Sequence, residues 1–287
     1  MNISEAVQAL AIQTEALVLL GDDPSSRAYE ALVLDRAFPV RIVRTSGAIR
    51  SNIVLVDTGN NATTVLKESG DEVSQQTLVM VADQLESLIQ EDDYVVFAGA
   101  LPPAAGDDTY AWLTSVANSV GARVVLNADG NVLDLALRSA PDVVMLSQIQ
   151  LESFFNHPIR ALEDVISAAT KMQEIGPDCV LIMLNDDTGA VLVTAEEQFI
   201  AEFPTDVDTE GTYTGTHDAM IAGFLAGRLR NHSLKQCLVL AGASMLYTAT
   251  QVGTEFGDYD AIQPHIPSVK VMSLEEYHDN LTTQTTD

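Results

Sequence analysis

Two hydrophobic patterns alternate along most of the chain. Short continuous apolar runs, which predict buried strands, occur at "EALVLLG" (15–21), "DYVVFAGALPP" (93–103), "ARVVLNADG" (122–130), "DVVMLS" (142–147) and "CVLIMLN" (179–185). Segments with apolar residues at helical spacing, which predict helices, occur at 73–89, 107–121, 131–140 and 161–176. Short apolar strands between helices are typical of a parallel sheet that is covered on both faces. The pattern therefore predicts an α/β fold.

Two regions depart from this alternation. Residues 38–70 have no helical period, and their turn signals "SG" and "TGNN" favour a β-meander. A small β excursion of this kind from a doubly wound sheet often covers an active site as a lid. Residues 189–204 have the pattern of a hairpin, and two helices are predicted between Thr216 and Thr250. The 287 residues fit a single domain, 1–287, with the lid at about 38–70.

The formal net charge of −27 restricts the classes of partner. A chain this acidic repels nucleic acids and anionic membranes, so we expect neither as a partner. No apolar run approaches the roughly 20 residues of a membrane span, and "MNISEAVQAL" does not have the pattern of a signal peptide. Cys179 and Cys237 lie in apolar runs, which indicates buried thiols in a reducing, cytoplasmic compartment. Two such cysteines and scattered histidines predict no metal site.

The stretch "GTYTGTHDAMIAGF" (211–224) carries the strongest candidate chemistry. A loop rich in glycine and threonine leads into a helical pattern, and Asp218 lies where the two join. Free N–H groups at a helix start attract phosphate, and a carboxylate beside them can take a proton from an attacking hydroxyl. Asp is also a favoured N-cap residue, and this stretch alone favours that structural interpretation.

Four segments together resemble a known family. "VVFAGALPPAAGDDTYAWL" is similar to "VVxSGSLPPGxxxDxY", "GARVVLNADGNVL" to "GAKVVLDTSGEAL", "AIRSNIVLVD" to "TRTNxxIxD" and "GTHDAMIAGFLAG" to "GAGDSFVAGFLAG". These motifs belong to the PfkB branch of the ribokinase-like carbohydrate kinases, and they occur in the same order over nearly the whole chain. The resemblance is greatest to the phosphosugar members, 1-phosphofructokinase and tagatose-6-phosphate kinase. It implies a three-layer α/β/α sandwich with a small β-sheet lid.

The resemblance also implies a site for ATP-dependent phosphoryl transfer to a sugar phosphate. Asp218 falls on the catalytic position. The resemblance implies an anion hole at Gly215, Thr216 and His217. It implies that Arg50, Asn52 and Asn2 bind the substrate. It also implies that Asn185 and Gly189 bind the nucleotide. Mg-ATP is the implied cofactor. A homodimer formed through the lid is expected, because a lid presents open strand edges.

Several positions depart from the family where its residues do chemistry. Thr216 and His217 replace Ala and Gly of "GAGD", although a second glycine lets backbone amides approach a phosphoryl group closely. The motif "KPNxxE" becomes "MLSQIQ" (145–150), which removes a carboxylate that helps to hold Mg²⁺ unless Glu152 replaces it. The nucleotide motif "SxGxxG" becomes "MLNDDTG" (183–189). The family's "NPAxD" and "GGKG" have no counterpart before Asn2, so either the start codon is misassigned or the gene has lost this part.

Two functions remain open after these comparisons of motifs. One is an ATP-dependent phosphosugar kinase in which Asp218 is the general base and Arg50 binds the substrate phosphate. The other is a non-catalytic pseudokinase that binds a ligand or assembles with a partner, with Asp218 as a helix cap and no cofactor. Arg41 and Arg44 lie near Arg50 in the sequence and fit an arginine cluster for a phosphosugar. They fit a solvated face of an exposed sheet equally well.

Overall fold

The structure, a computed structural model, describes residues 1–57, 62–204 and 214–284. Its strands are β1 (Ala16–Leu20), β2 (Val40–Arg44), β3 (Asn52–Asp57), β4 (Ala62–Lys67), β5 (Tyr94–Ala98), β6 (Arg123–Asn127), β7 (Val143–Ser147), β8 (Cys179–Met183), β9 (Gly189–Thr194), β10 (Gln198–Glu202) and β11 (Lys270–Ser273). Its helices are α1 (Asn2–Ala9), α2 (Pro24–Leu34), α3 (Gln75–Leu88), α4 (Thr109–Val120), α5 (Gly130–Leu137), α6 (Gln148–Phe155), α7 (Leu162–Gln173), α8 (Thr216–Leu229), α9 (Leu234–Ala249), α10 (Tyr259–Ile262) and α11 (Leu274–Gln284). Short 3₁₀ helices lie at Asn185–Asp187 and Gln263–Ser268.

Seven strands form the central sheet, in the order β11-β10-β9-β8-β7-β6-β5. The strands from β5 to β8 run parallel, as the short apolar runs predict. From β8 to β11 the neighbours are antiparallel, so the sheet as a whole is mixed. The reason is that β8 and β9 are joined only by the turn around Asn185–Asp187, and parallel strands need a crossover of a dozen or more residues. The hairpin predicted at 189–204 is confirmed as β9 and β10.

The central sheet is covered by helices on both faces, which confirms the three-layer sandwich. Because side chains alternate along a strand, neighbouring residues of β6 belong to different cores. Val124 and Leu126 pack with residues of α3, α4, α5 and α7 on one face. Val125 packs with residues of α8 and α9 on the other face. All three are fully buried, which explains why the strand is a continuous apolar run.

The region predicted as a meander contains two different structures. Strand β2 pairs in parallel with β1, with Ala16 opposite Val40, and helix α2 connects the two strands. The excursion is therefore shorter than 38–70 and consists of the antiparallel ribbon β3–β4, in which Asn52 lies opposite Lys67. The "TGNN" turn signal lies at residues 58–61, outside the described residues. We call β3–β4 the ribbon.

Helices α8 and α9 pack against each other through small residues, as the rows "AGFLAG" and "LAGASM" indicate. An added Cβ at Gly223 would lie 2.6 Å from the carbonyl oxygen of Leu240, and one at Gly227 would lie 2.9 Å from Cα of Cys237. The close approach therefore requires glycine at both positions. Within the described residues, none of the helices has the length and apolar character needed to span a membrane.

Candidate active site

The start of α8 lies at the carboxyl ends of the parallel strands. A cavity of about 10 Å³, room for one water molecule, lies between them. Its lining includes Asn127 at the end of β6, Met145 and Leu146 of β7, Met183 at the end of β8, and His217 of α8. This edge is where open α/β sheets bind their ligands. The predicted anion hole is therefore at the edge of the sheet that the fold offers for a ligand.

Gly215, and not Asp218, is the N-cap of α8. Its φ is +92°, and an added Cβ would lie 2.7 Å from Cγ2 of Thr254, so both backbone and space favour glycine here. Asp218 is the third residue of the helix, in its first turn. The interpretation of Asp218 as the helix cap is therefore wrong. A carboxylate in the first turn lies where the helix dipole favours negative charge.

The side chain of Asp218 is held by a residue from the beginning of the chain. Nδ2 of Asn2 donates a hydrogen bond of 2.9 Å to Oδ2 of Asp218. Helix α1 lies along α8, with Ala6 and Val7 packed in the same buried cluster as Ala222. The family resemblance places Asn2 at the substrate, and this contact with Asp218 has no local sequence signal.

His217 lies beside Asp218 and lines the cavity at the sheet edge. Although part of its side chain is exposed, the protein atoms around the ring desolvate it and lower its pKa. The negative charge of Asp218 acts in the opposite direction but is the smaller effect. The imidazole is therefore neutral near pH 7, so it adds no positive charge to the start of α8.

Arg50 lies near the carboxyl end of β5. The hydroxyl of Tyr110 donates to the carbonyl oxygens of Ala98 and Gly99, both at 3.1 Å. Burial raises the pKa of Tyr110 to about 12, and the nearby positive charge of Arg50 opposes this shift. The side chain predicted to bind a substrate phosphate therefore lies in the loop before the ribbon, close enough to the end of β5 for its charge to act on Tyr110.

The loop that carries Arg50 is fixed by carboxylates that accept its backbone N–H groups. Asp71 accepts from Ala48 at 2.7 Å, Asp23 from Ile49 at 3.3 Å, and Glu68 from Ser51 at 2.7 Å. Hydrogen bonds, above all from the hydroxyl of Ser26, lower the pKa of Asp23 to about 2, so this carboxylate is charged at any ordinary pH. The position of Arg50 therefore depends on charged side chains around the base of the ribbon.

The structure does not gather the other two arginines around Arg50. Arg41 pairs with Glu15 at 2.7 Å, and Arg44 pairs with Glu30. Both are exposed ion pairs, which contribute little to stability. These contacts therefore do not support a cluster in which Arg41 and Arg44 join Arg50 to bind a phosphosugar.

The segment 145–150, which departs from the family's magnesium motif, is used to begin helix α6. Ser147 is its N-cap and Gln150 completes a capping box, with its side-chain oxygen accepting the N–H of Ser147 at 2.8 Å. Glu152, the alternative carboxylate, has Oε1 within 3.3 Å of the backbone N–H of Ile159, which donates to it. Gln150 and Glu152 are both engaged in local structure.

The two residues assigned to the nucleotide lie in the turn between β8 and β9. Asn185 begins the 3₁₀ helix, and its N–H donates to Oε1 of Gln148 at 3.1 Å. Gly189 begins β9, where an added Cβ would clash with the carbonyl oxygen of Ala201 on β10. The packing of the hairpin is by itself sufficient reason for glycine at this position.

Among the described residues, no group of three or more His, Cys, Asp or Glu side chains could hold a metal ion. A Mg²⁺ bound with ATP usually takes only one or two carboxylates from the protein, with phosphate oxygens and waters as its other ligands. The N-terminus of α8 suits an anionic group, because the first N–H groups of a helix have no partner within the helix and attract negative charge.

The mixed sheet, its two helical layers, the ribbon and the carboxylate at the start of α8 define a ribokinase-like protein. The sequence profile described as pfkB family carbohydrate kinase matches residues 1–261. The chain belongs to the pfkB family of carbohydrate kinases.

Characterised relatives and solved structures agree with this membership. The chain is 32% identical over 248 residues to a 1-phosphofructokinase of Xanthomonas campestris pv. campestris, which covers 85% of this chain and 77% of that protein. It is 27% identical over 274 residues to the 1-phosphofructokinase of Bacillus subtilis, covering 96% and 87% respectively. The crystal structure of phosphofructokinase-2 from Escherichia coli in complex with potassium superposes with a TM-score of 0.85 at 22% identity, over 93% of this chain and 85% of that one. The last likeness shows the fold.

Proposed function

We propose that the protein is an ATP-dependent kinase that phosphorylates a hydroxyl group of a fructose phosphate, as 1-phosphofructokinases do. The observation that carries the proposal is the position of Asp218. It lies in the first turn of α8, three residues after a glycine N-cap, at the carboxyl edge of the sheet. Two relatives that bear the name 1-phosphofructokinase support the choice of substrate.

In this reaction each part of the site has its own task. Asp218 takes the proton of the attacking hydroxyl. The backbone amides of Gly215, Thr216 and His217 stabilise negative charge on the transferring phosphoryl group. The substrate phosphate binds to Arg50, since the guanidinium fork matches its oxygens. Asn52 contacts the sugar, and Asn185 and Gly189 lie on the nucleotide side.

Mg-ATP supplies the phosphoryl group when it is bound. We assign no protein ligand to its metal ion. The chain's own contribution is to position the acceptor hydroxyl and to stabilise charge as it develops.

The experiment is a coupled kinase assay with Mg-ATP and either fructose 1-phosphate or fructose 6-phosphate. We expect turnover with one of them, and Asp218→Asn to lower kcat by roughly 100-fold or more while calorimetry still detects substrate binding. Asp83→Asn on the exposed surface of α3 is the matched control and should be silent. Absence of turnover in the wild-type protein, or full activity of Asp218→Asn, would refute the proposal.

A second candidate function is that of a non-catalytic pseudokinase that binds a sugar phosphate. The capping box favours it, because Gln150 is a neutral residue engaged with Ser147 where the family has a carboxylate. The same experiments separate the two functions. Heat of binding for a fructose phosphate without any turnover is the result that the pseudokinase predicts.

We also propose a homodimer in which the ribbon of one copy packs on that of another. Its described side chains are unusually apolar for a surface: Ile53, Leu55 and Leu66 are 51%, 53% and 51% exposed. A two-stranded ribbon is at best marginally stable alone, and a large exposed apolar patch marks an interaction site. A second copy would bury these side chains and remove the open strand edges.

Analytical ultracentrifugation tests the dimer. We expect the wild-type protein to sediment as a dimer and Leu55→Lys to shift it to monomer, because a charge would be buried at the interface. Leu32→Lys is the matched control, since Leu32 is 62% exposed and lies on α2. A wild-type monomer at micromolar concentration would contradict this assembly.

We further propose that the protein works in the cytoplasm. Cys179 and Cys237 are both free and buried, which suits a reducing compartment. Cell fractionation of the native source checks this, and recovery outside the cytoplasm would contradict it.

A further inference from the structure

Asn2 and Asp218 meet although 216 positions separate them in the sequence. Asn2 is the first residue of α1, and the donor is its side-chain amide, with 2.9 Å between Nδ2 and Oδ2 of Asp218. An amide N–H group is a donor at every pH, and its bond to a carboxylate is charge-assisted. Such a bond fixes the orientation of the carboxylate plane.

The helix that carries Asn2 is itself held at both ends. Its middle packs on α8, where Ala222 and Ala226 are fully buried beside it. Just beyond its end, the carbonyl oxygen of Leu10 accepts a 2.6 Å hydrogen bond from Nη2 of Arg230, the residue that follows α8. The two helices therefore run side by side in the same direction, with one tie near each end. The backbone of Asn2 is therefore held beside Asp218 as long as α1 stays packed on α8.

We propose that Asn2 is a positioning residue for the Asp218 base. The bond engages Oδ2, so the geometry assigns the proton-accepting role to Oδ1, the other oxygen of the same carboxylate. The family resemblance places Asn2 at the substrate, whereas this contact gives it a task in orienting the base. The role rests on the proposed kinase function, because it needs Asp218 to take the proton.

Kinetics of Asn2→Asp separate positioning from substrate binding. This variant keeps the size of the side chain and replaces its N–H donor by a second carboxylate. We expect kcat to fall by roughly 10–100-fold with KM for the fructose phosphate nearly unchanged, and Asn2→Gln, which keeps an amide donor, to recover part of the loss. Gln8→Ala on the same helix is the control and should behave as wild type.

Stability supplies a readout that does not depend on turnover. Asn2→Asp alone should lower the midpoint of thermal unfolding, because two carboxylates then face each other. The double variant Asn2→Asp with Asp218→Asn exchanges the partners and should restore the midpoint while remaining inactive. This rescue is expected only if the two side chains are in direct contact.

The outcomes keep this inference distinct from the proposed function. A wild-type protein without turnover refutes the kinase function and the positioning role with it. A wild-type protein with turnover that Asn2→Asp leaves intact, or alters only through KM, refutes the positioning role alone. Failure of the exchanged pair to restore the midpoint refutes the contact.

Discussion

The side chain of Gln148 joins two backbone segments at the carboxyl edge of the sheet. Its Oε1 accepts the N–H of Asn185 at 3.1 Å, and its Nε2 donates to the carbonyl oxygen of Ile159 at 2.8 Å. The residue is only 7% exposed, so its amide replaces water for both partners. Gln148 thereby connects the turn between β8 and β9 to the segment after α6.

Replacement of Gln148 by Leu should destabilise the protein without creating a cavity. The backbone groups of Asn185 and Ile159 would lose their partner, and each unsatisfied buried group costs about 1–3 kcal/mol. Urea denaturation followed by circular dichroism measures the change in the free energy of unfolding. Gln198→Leu is a control, since its side chain makes only a long contact, 3.5 Å, with Thr170. An unchanged unfolding midpoint for Gln148→Leu would show that this bridge is unimportant.

Gly215→Ala should lower both stability and activity. A non-glycine residue at a left-handed φ costs roughly 1–2 kcal/mol, and the new methyl group would lie 2.7 Å from Cγ2 of Thr254. Adding Thr254→Ser removes the methyl group that the new alanine would clash with. The double variant should therefore recover the stability lost to the clash but not the stability lost to the left-handed φ. Denaturation and kcat of the single and double variants measure these two contributions. Wild-type behaviour of Gly215→Ala would mean that the start of α8 adapts freely.

Asp71→Asn should weaken substrate binding through the loop that carries Arg50. The carboxylate of Asp71 accepts the N–H of Ala48 at 2.7 Å, and the amide of asparagine is a weaker, uncharged acceptor. We expect KM for the fructose phosphate to rise about 3–10-fold, the equivalent of roughly 1 kcal/mol, with kcat nearly unchanged. Glu72→Gln, an exposed neighbour, is the control. A fall in kcat at constant KM would contradict a role confined to Arg50.

The two cysteines should be unreactive in the folded protein. Burial raises the pKa of Cys179 to about 12 and that of Cys237 to about 11, from an ordinary value of 9.0. Only the thiolate reacts, so labelling with Ellman's reagent at pH 8 should be slow until the protein is unfolded. Fast labelling of either thiol in the native protein would contradict their burial.

The same pKa values predict a dependence of stability on pH. Between about pH 9 and pH 11 the unfolded chain releases thiol protons that the folded chain keeps, so the free energy of unfolding falls as pH rises. A variant with both cysteines replaced by Ala should show a shallower fall over this range. Denaturation at a series of pH values measures both slopes, and equal slopes would contradict the prediction.

Much of the fold is predictable because buried strands leave a strong signal. Val124, Val125 and Leu126 have no exposed surface, so the three central positions of β6 must be apolar. Helix α2 gives no such signal, because its buried residues are only Ser26 and Val33. Its start signals, Asp23 and Pro24, are present but lack an apolar stripe behind them. Without that helix, the parallel pairing of β2 with β1 cannot be inferred.

The candidate site also contains one part that the sequence predicts and another that it does not. The motif around Asp218 places the carboxylate at the start of a helix, and this position is local enough to read from sequence. The local preference of Asp for N-caps misplaces the helix start by three residues, because the left-handed conformation of Gly215 allows α8 to begin earlier. The bond from Asn2 is a product of the packing of α1 on α8, and no pattern within either segment encodes it.

The glycine contact between α8 and α9 has a consequence for how substrate preference evolves in this protein. A displacement of α8 along its axis would bring a side chain to the place of Gly223, where an added Cβ already lies 2.6 Å from the carbonyl oxygen of Leu240. The helix that carries Asp218 is therefore held against sliding along α9. We expect adaptation to a new acceptor to come from substitutions in the ribbon and in the loop around Arg50, where two of the hydrogen bonds that hold the loop are exposed.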